Sequence, residues 1–408
     1  MRILLLSQFY PPVIGGEERH VHSLAHALAA RGHEVAVATL SAGEETDDGA
    51  SVKVFRLRGT MQRLSGVYLD SLRPHAPPLP DPELVLALRR VAREFRPDVV
   101  HAHNWIFYSW LPLRPFVRAP VVMTLHDYGL VCARKNLTFD DALCAGPKLT
   151  RCLSCVIDHY GAGKGVVTLA AHGAMRPLVA RAVDRYLAVS NAVALENRLE
   201  GLPHEVVPNF IPDRLEAGAG SAATARLPDE PFILFVGDLS PHKGLPILLE
   251  AYRRLGAAPP LVLIGRRTPA TPADLPANVS MFESWTHADV LHAWSRALFG
   301  LAPSIWREPC ATVLMEGMSF GKPMIATRLG GNTDIIEHGR SGLLVTPEDP
   351  DDLASAMDAL LADEALRLHL ADGARKRIPL FRASGVVSQI ERVYGDVLAQ
   401  TSAAYVGA

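Results

Sequence analysis

Charge of one sign is what this sequence most plainly lacks. Its 41 Lys and Arg against 43 Asp and Glu leave a formal net charge of -2, and without a basic excess there is no electrostatic footprint for nucleic acid. No nucleic-acid partner is expected. A long hydrophobic run at the start is missing too. Between Met1 and Tyr10 the apolar stretch is Ile3 to Leu6, too short for the core of an export signal or for a membrane span; it reads as a first β-strand, and the chain as cytoplasmic. Repeats and low-complexity tracts are absent, which sets aside stacked-repeat architectures. Cysteine is scarce, five residues in all. In a reducing compartment, clustered thiols bind metal or do chemistry more often than they form structural disulfides.

What is present is ordinary globular material: 408 residues, 49% hydrophobic and 21% charged, a length that suggests two domains. Short apolar runs alternate with amphipathic stretches, as in Ile3-Leu6, Glu18-Arg31 and Val35-Thr39. This is the β-α-β rhythm of a parallel sheet with helices on its faces. Further strands are expected at Val99-His101, Val121-Leu125, Tyr186-Val189 and Glu205-Val207. A stretch of small residues at 214-231 has the composition of a flexible connection. Beyond it the rhythm restarts with Phe232-Val236, Leu261-Ile264, Ser280-Phe282, Phe299-Ala302 and Met324-Ala326. The expected organisation is an N-terminal domain at 1-213, a hinge at 214-231, a second Rossmann-like domain at 232-382 and a C-terminal helix at 383-408 returning to the first domain. Two such domains facing each other across a cleft would set the carboxyl ends of both sheets along it, where open α/β folds bind ligands.

Two carboxylates, Glu308 and Glu316, stand eight residues apart across a strand-loop-helix junction. As helix that spacing covers about 12 Å, comparable to the distance from the sugar hydroxyls to the ribose of a nucleotide-diphosphate sugar. Glu308 can then grip sugar hydroxyls and Glu316 the ribose. The free N–H groups at Cys310, Ala311, Thr312 and Val313, where the helix begins, suit a diphosphate. Lys243 follows a strand and a turn and precedes the helix Leu245-Gly256, so its ammonium and that helix end both present positive charge. Gly15 and Gly16 form a strand-helix loop whose bare backbone can approach an acceptor or a phosphate. A D-x-D metal motif has one candidate, Asp349-Pro350-Asp351, which reads instead as a helix cap.

The Glu308-to-Glu316 segment resembles the E-x7-E signature of retaining glycosyltransferase family 4, and the likeness extends along nearly the whole chain. It includes Gly15-Gly16, Arg31-Gly32-His33-Glu34-Val35, Thr124-Leu125-His126-Asp127, Val189-Ser190, Pro208-Asn209, Val236-Gly237, Lys243-Gly244 and Gly330-Gly331. The resemblance implies a GT-B fold of two Rossmann-like domains. It also implies a UDP- or GDP-sugar donor, transfer of a hexose or N-acetylhexosamine to a hydroxyl acceptor with retention, and no cofactor or metal for catalysis. Lys243 would neutralise the phosphates, Glu308 and Glu316 would hold sugar and ribose, and His126 would lie beside the reacting sugar. One position departs from the pattern: Asp238 stands after Val-Gly, where the family usually has an Arg, and a carboxylate cannot replace a guanidinium on a phosphate. Arg266 or Arg267 is expected to supply the missing charge. Two other readings accompany this one: a sugar-nucleotide epimerase of the same fold, and a catalytically silent sugar-nucleotide-binding subunit, suggested by Asp238.

Four cysteines, Cys132, Cys144, Cys152 and Cys155, fall within an insertion at about 130-160 with spacing C-x11-C-x7-C-x2-C. Four thiolates at such spacing suit a structural zinc ion, the alternatives being core thiols or two disulfides. The acceptor is unidentified. The Gly15 loop, the insertion and the stretch Gly59-Pro80 are the segments expected to read it. In the last, Met61, Leu64, Val67, Tyr68 and Leu72 form a stripe with arginines nearby, which suits core packing or peripheral contact with the inner face of a membrane.

Overall fold

The computed structural model describes residues 1-12, 15-40, 46-47, 51-63, 75-140 and 142-406. The chain divides into two compact units. The first comprises Met1–Leu137, Cys144–Pro208 and Val386–Ala408; the second comprises Thr138–Leu143 and Asn209–Gly385.

The first unit is built on eight strands: β1 (Arg2–Ser7), β2 (Glu34–Leu40), β3 (Thr46–Asp47), β4 (Val52–Leu57), β5 (Val99–Ala102), β6 (Val121–Leu125) and, after the small hairpin β7 (Thr138–Phe139) and β8 (Ala142–Leu143), β9 (Arg185–Ala188) and β10 (His204–Val206). The sheet order is β10-β9-β6-β5-β1-β2-β4-β3, parallel except for the β3 edge. The order reverses direction between β1 and β5, the switch point at which doubly wound sheets bind ligands. Ile3, Leu4, Leu5 and Leu6 are fully buried, as a central strand covered on both faces requires. Helices α1 (Gly16–Ala30), α2 (Pro82–Phe95), α3 (Leu149–Tyr160), α4 (Ala162–Ala182) and α5 (Asn191–Glu196) accompany it.

The second unit has six parallel strands: β11 (Ile233–Val236), β12 (Leu261–Ile264), β13 (Val279–Phe282), β14 (Phe299–Ala302), β15 (Met324–Thr327) and β16 (Leu343–Val345). Their order, β13-β12-β11-β14-β15-β16, is the Rossmann arrangement, with its switch point between β11 and β14. Its helices are α6 (Leu245–Arg254), α7 (His287–Arg296), α8 (Thr312–Ser319), α9 (Asn332–Ile335), α10 (Pro350–Ala362) and α11 (Glu364–Arg377). The last helix, α12 (Ala383–Val406), begins in the second unit and from Val386 onward belongs to the first. There Val386, Val387, Ile390, Val393, Tyr394 and Val397 are buried along one stripe, and Glu391 takes Arg31 at 2.5 Å and His33 at 2.8 Å.

The segment 214-231, expected to be a hinge, lies inside the second unit, and one of the points at which the chain passes between units is Pro208 to Asn209. Small residues made it look flexible, but its polar atoms are tied down. Ser221 Oγ donates to Asp289 at 2.6 Å, Gly218 O is bonded by His292 at 3.1 Å, and Arg296 donates to Pro228 O at 2.6 Å. Strands β4 and β16 were not foreseen either. The structure also confirms the capping role of Asp349, which accepts from the Asp351 and Asp352 N–H groups at 2.9 and 3.0 Å. In the stretch Gly59-Pro80, Met61 lies in a short helical turn (Thr60–Arg63), while Leu64, Val67, Tyr68 and Leu72 lie outside the described residues.

Candidate active site

In the second unit the loop that leaves β14 runs through 303-311 into α8, directly at the switch point. Lys243 and Glu308 meet there, Nζ to Oε1 at 2.5 Å. Glu308 is only 6% exposed, and the same oxygen also accepts from Ser304 Oγ at 2.6 Å and Trp306 Nε1 at 2.8 Å. Three donors on Oε1 fix the carboxylate and leave its other oxygen outside this set of bonds. Two glycine turns clamp the loop from either side. Gly244 has φ +75, and a Cβ there would stand 1.9 Å from Pro303 O. Gly330 has φ +60, and a Cβ there would stand 2.5 Å from Glu308 O, which accepts from Gly331 N at 2.6 Å. Only glycine takes a left-handed conformation against a neighbouring backbone without strain.

Glu316, 7% exposed on α8, faces His287 Nε2 at 2.8 Å from the start of α7. The partner was not foreseen; it is distant in sequence and carries no local motif. Ala311 caps α8 with no side-chain hydrogen bond, so the helix opens on Thr312 and Val313 with backbone N–H groups directed at whatever occupies the loop. Cys310 is buried, its thiol pushed up to about 12 by burial. It is therefore a neutral packing residue whose carbonyl accepts from Asn209 at 3.4 Å.

Arg266 forms a bidentate pair with Asp238, at 2.9 and 3.3 Å, whereas Arg267 pairs with Glu283 at 3.1 Å. Gly265 makes this juxtaposition close: a Cβ on it would lie 1.7 Å from Gly237 O. The carboxylate that replaces the family's usual arginine thus anchors a guanidinium from the next strand.

In the first unit, His126 follows β6 and joins His103, which follows β5. Their Nε2 and Nδ1 atoms are 3.1 Å apart. His20 of α1 packs against His126 with ring centroids 4.8 Å apart. Burial, then neighbouring imidazoles, pushes the pKa of His20 and of His103 well below the ordinary histidine value, so both are neutral. His101 packs against His103 with tilted rings, centroids 4.2 Å apart, and is held at 2.7 Å by both Thr124 and Tyr394 of α12. Asn104 joins Glu17 to this group by a side-chain bond and accepts from Gln8 N at 2.9 Å. Burial first, then the charge of Asp127, raises the Glu17 carboxyl to about 8. The cavity here is lined by His103, Asn104, Trp105, His126, Asp127 and Lys135 among others.

Gly15 caps α1 with extended backbone, and a Cβ on it would come within 2.2 Å of the Glu18 carboxylate. Gly16 has nothing that a Cβ would meet. The helix start is therefore already faced by a carboxylate of its own first turn, which weakens its reading as a phosphate loop. The four insertion cysteines are in no disulfide. Cys132 and Cys155 lie near enough to interact, Cys155 Sγ accepts from Arg134 at 3.4 Å, and Cys144 Sγ donates to Gly146 O at 3.5 Å. Among the described residues, the group of three or more ligating side chains close enough for one metal ion is His20, His103 and His126, with nitrogens within 4.8 Å of one another.

Two family models match this chain almost end to end: Glycosyltransferase Family 4 over residues 14–215 and Glycosyl transferases group 1 over residues 221–377. The chain belongs to glycosyltransferase family 4. It is a GT-B glycosyltransferase with two Rossmann-like domains. This family 4 enzyme is 27% identical over 406 residues to a glycogen synthase of Mycobacterium tuberculosis, with 93% of this chain and 90% of the relative covered. A sucrose-phosphate synthase from Thermosynechococcus elongatus has the same fold at a TM-score of 0.75 and 22% identity, covering 98% and 99% of the two chains. So does the Anabaena protein HepE, solved in complex with UDP-glucose, at 0.67 and 20%, covering 97% and 100%.

Proposed function

We propose that this enzyme is a retaining, metal-independent hexosyl- or N-acetylhexosaminyltransferase using a nucleotide-diphosphate sugar, UDP-hexose first among the candidates. The observation that carries the reading is the Lys243–Glu308 pair at the β11–β14 switch point, held by Ser304 and Trp306 beside the uncapped start of α8. A cation and open backbone N–H groups suit a diphosphate. A carboxylate whose second oxygen lies outside the pair's bonds suits sugar hydroxyls, and Glu316 with His287 suits a ribose. HepE, a neighbour in fold, holds UDP-glucose, which favours uridine among the bases.

In this reading the diphosphate leaves as the acceptor hydroxyl attacks the anomeric carbon on the same face. The leaving phosphate oxygen takes the hydroxyl proton, so no protein nucleophile is used. Lys243 and Arg266 offset the charge that grows on the phosphate. His126, bonded to a neutral His103, keeps the part that the family resemblance gives it, a hydrogen-bonding group beside the reacting sugar.

The test is calorimetric titration with UDP, GDP, dTDP and ADP and their sugar conjugates, without added metal, followed by the anomeric configuration of the product by NMR. One nucleotide binds. Glu316→Ala weakens it about ten- to a hundredfold, the range for a charged hydrogen bond. Arg266→Ala weakens sugar-nucleotide binding several-fold while Arg267→Ala leaves it unchanged. Inverted product, or activity lost to a chelator and restored by a divalent ion, would overturn the mechanism.

A further inference from the structure

Helix α4 has an exterior that does not match its position. A surface helix ordinarily turns polar side chains outward and apolar ones inward. Along α4, Val166, Val167, Ala170, Ala174 and Leu178 recur at the spacing of one face and are exposed, while Gly165, His172 and Val179 are buried on the other. Both faces are therefore largely apolar. Beside the C-terminal end of the helix, Arg114 donates to Ala182 O at 2.9 Å, and the turn that carries Arg114 also carries Phe116, 83% exposed. Of the twelve large apolar side chains exposed among the described residues, Phe116, Val166, Val167 and Leu178 belong to α4 and the adjoining turn. Single exposed apolar residues are normal, whereas a concentration in one small part of the surface marks a contact face.

The charge carried by these two segments has one sign. Helix α4 and the turn 111-118 contain Arg114, Arg118, Lys164, Arg176 and Arg181 and no Asp or Glu. Arg114 is paired with Asp184 at 2.5 Å, and Arg176 lies on the side of the helix that carries buried His172; Arg118, Lys164 and Arg181 accompany the exposed apolar residues. Two copies of this face meeting each other would oppose like charges. A surface that is apolar inside and negative outside satisfies both features. Among the described residues no helix is long and apolar enough to cross a membrane, so α4 can lie on such a surface but not span it.

We propose that α4 and the 111-118 turn dock this enzyme on an anionic lipid bilayer. Phe116, Val167 and Leu178 enter the boundary between head groups and acyl chains, and Arg118, Lys164 and Arg181 lie among the head groups. This surface is made of residues other than the stretch Gly59-Pro80, and it does not depend on the identity of the sugar donor.

The experiment is co-sedimentation of the full chain with phosphatidylglycerol-containing vesicles and with pure phosphatidylcholine vesicles. Binding to the anionic vesicles that fades with added salt is expected, because screening shortens the reach of surface charge. Arg118→Glu with Arg181→Glu lowers partitioning by at least about fivefold per position, the worth of one cation near an anionic leaflet. Phe116→Ser with Val167→Ser and Leu178→Ser lowers it as well. These side chains are exposed, and an unchanged melting temperature and nucleotide affinity will show that fold and donor site are intact. Equal partitioning of wild type onto both vesicle types, or partitioning that neither variant lowers, overturns the proposal. A concentration-dependent dimer that the triple-serine variant loses, without vesicle binding by wild type, assigns the face to a second copy and also overturns it.

Discussion

Glu17 carries a pH dependence that no sequence motif announced. Its carboxyl has an ordinary value of 4.5 and is raised to about 8 by burial and by the charge of Asp127. Between those two values the folded chain holds a proton that the unfolded chain releases. The associated stability is fully present below about 4.5 and is lost as the pH rises through about 8. Melting temperatures of wild type should therefore fall across this interval more steeply than those of Glu17→Gln, which keeps the neutral form at every pH. Equal slopes would show that the carboxyl is not held neutral. At the same scale, Lys243, Glu308 and Glu316 were legible because each sits in a motif of fixed spacing. Their partners Ser304, Trp306 and His287 were not singled out, since a hydrogen bond to a side chain elsewhere in the fold leaves no periodic trace. Asp238 looked like a lost charge. Its meaning depended on Arg266, which is 28 residues away along the chain and 2.9 Å away in space.

Among the elements, α12 shows how a helix is recruited by what it buries. Its stripe of apolar residues was readable as a helix, but the hydrogen bond from Tyr394 to buried His101 was not. That bond continues through His101 and His103 to His126 by ring contacts and one hydrogen bond. Tyr394→Phe leaves a buried imidazole nitrogen without its partner and should cost about 1–3 kcal/mol, measured by urea unfolding. Should the variant unfold at the wild-type midpoint, the bond contributes nothing net. In the insertion the sequence reading singled out the cysteines and not helix α3, which carries Cys152 and Cys155. Thiol spacing alone does not determine where the sulfurs point, and the converging histidines, His20, His103 and His126, come from three separate elements.

At the scale of the whole molecule, each of the two units has its own parallel sheet with its own switch point. The proposed donor groups Lys243, Arg266, Glu308 and Glu316 all belong to the second unit, and the histidine group to the first. Differential scanning calorimetry of the full chain should therefore show a nucleotide raising the transition of the second unit more than that of the first, by mass action on the state that binds. A uniform shift of a single transition would mean that the units unfold as one. The parallel strand runs and the alternation of strand with helix made this architecture readable, because a strand buried on both faces must be apolar throughout. Composition suggested a flexible connection at 214-231, whereas Ser221, Gly218 and Pro228 have partners elsewhere in the second unit.

The sequence by itself determined the fold class, the family and the positions of the motif residues, all of which depend on periodicity and spacing along one chain. Tertiary structure alone decided which oxygen of Glu308 is bonded, that Asp238 anchors Arg266 and that burial raises the Glu17 carboxyl. Each of these depends on groups brought together by packing, whose distance along the chain says nothing about their distance in space.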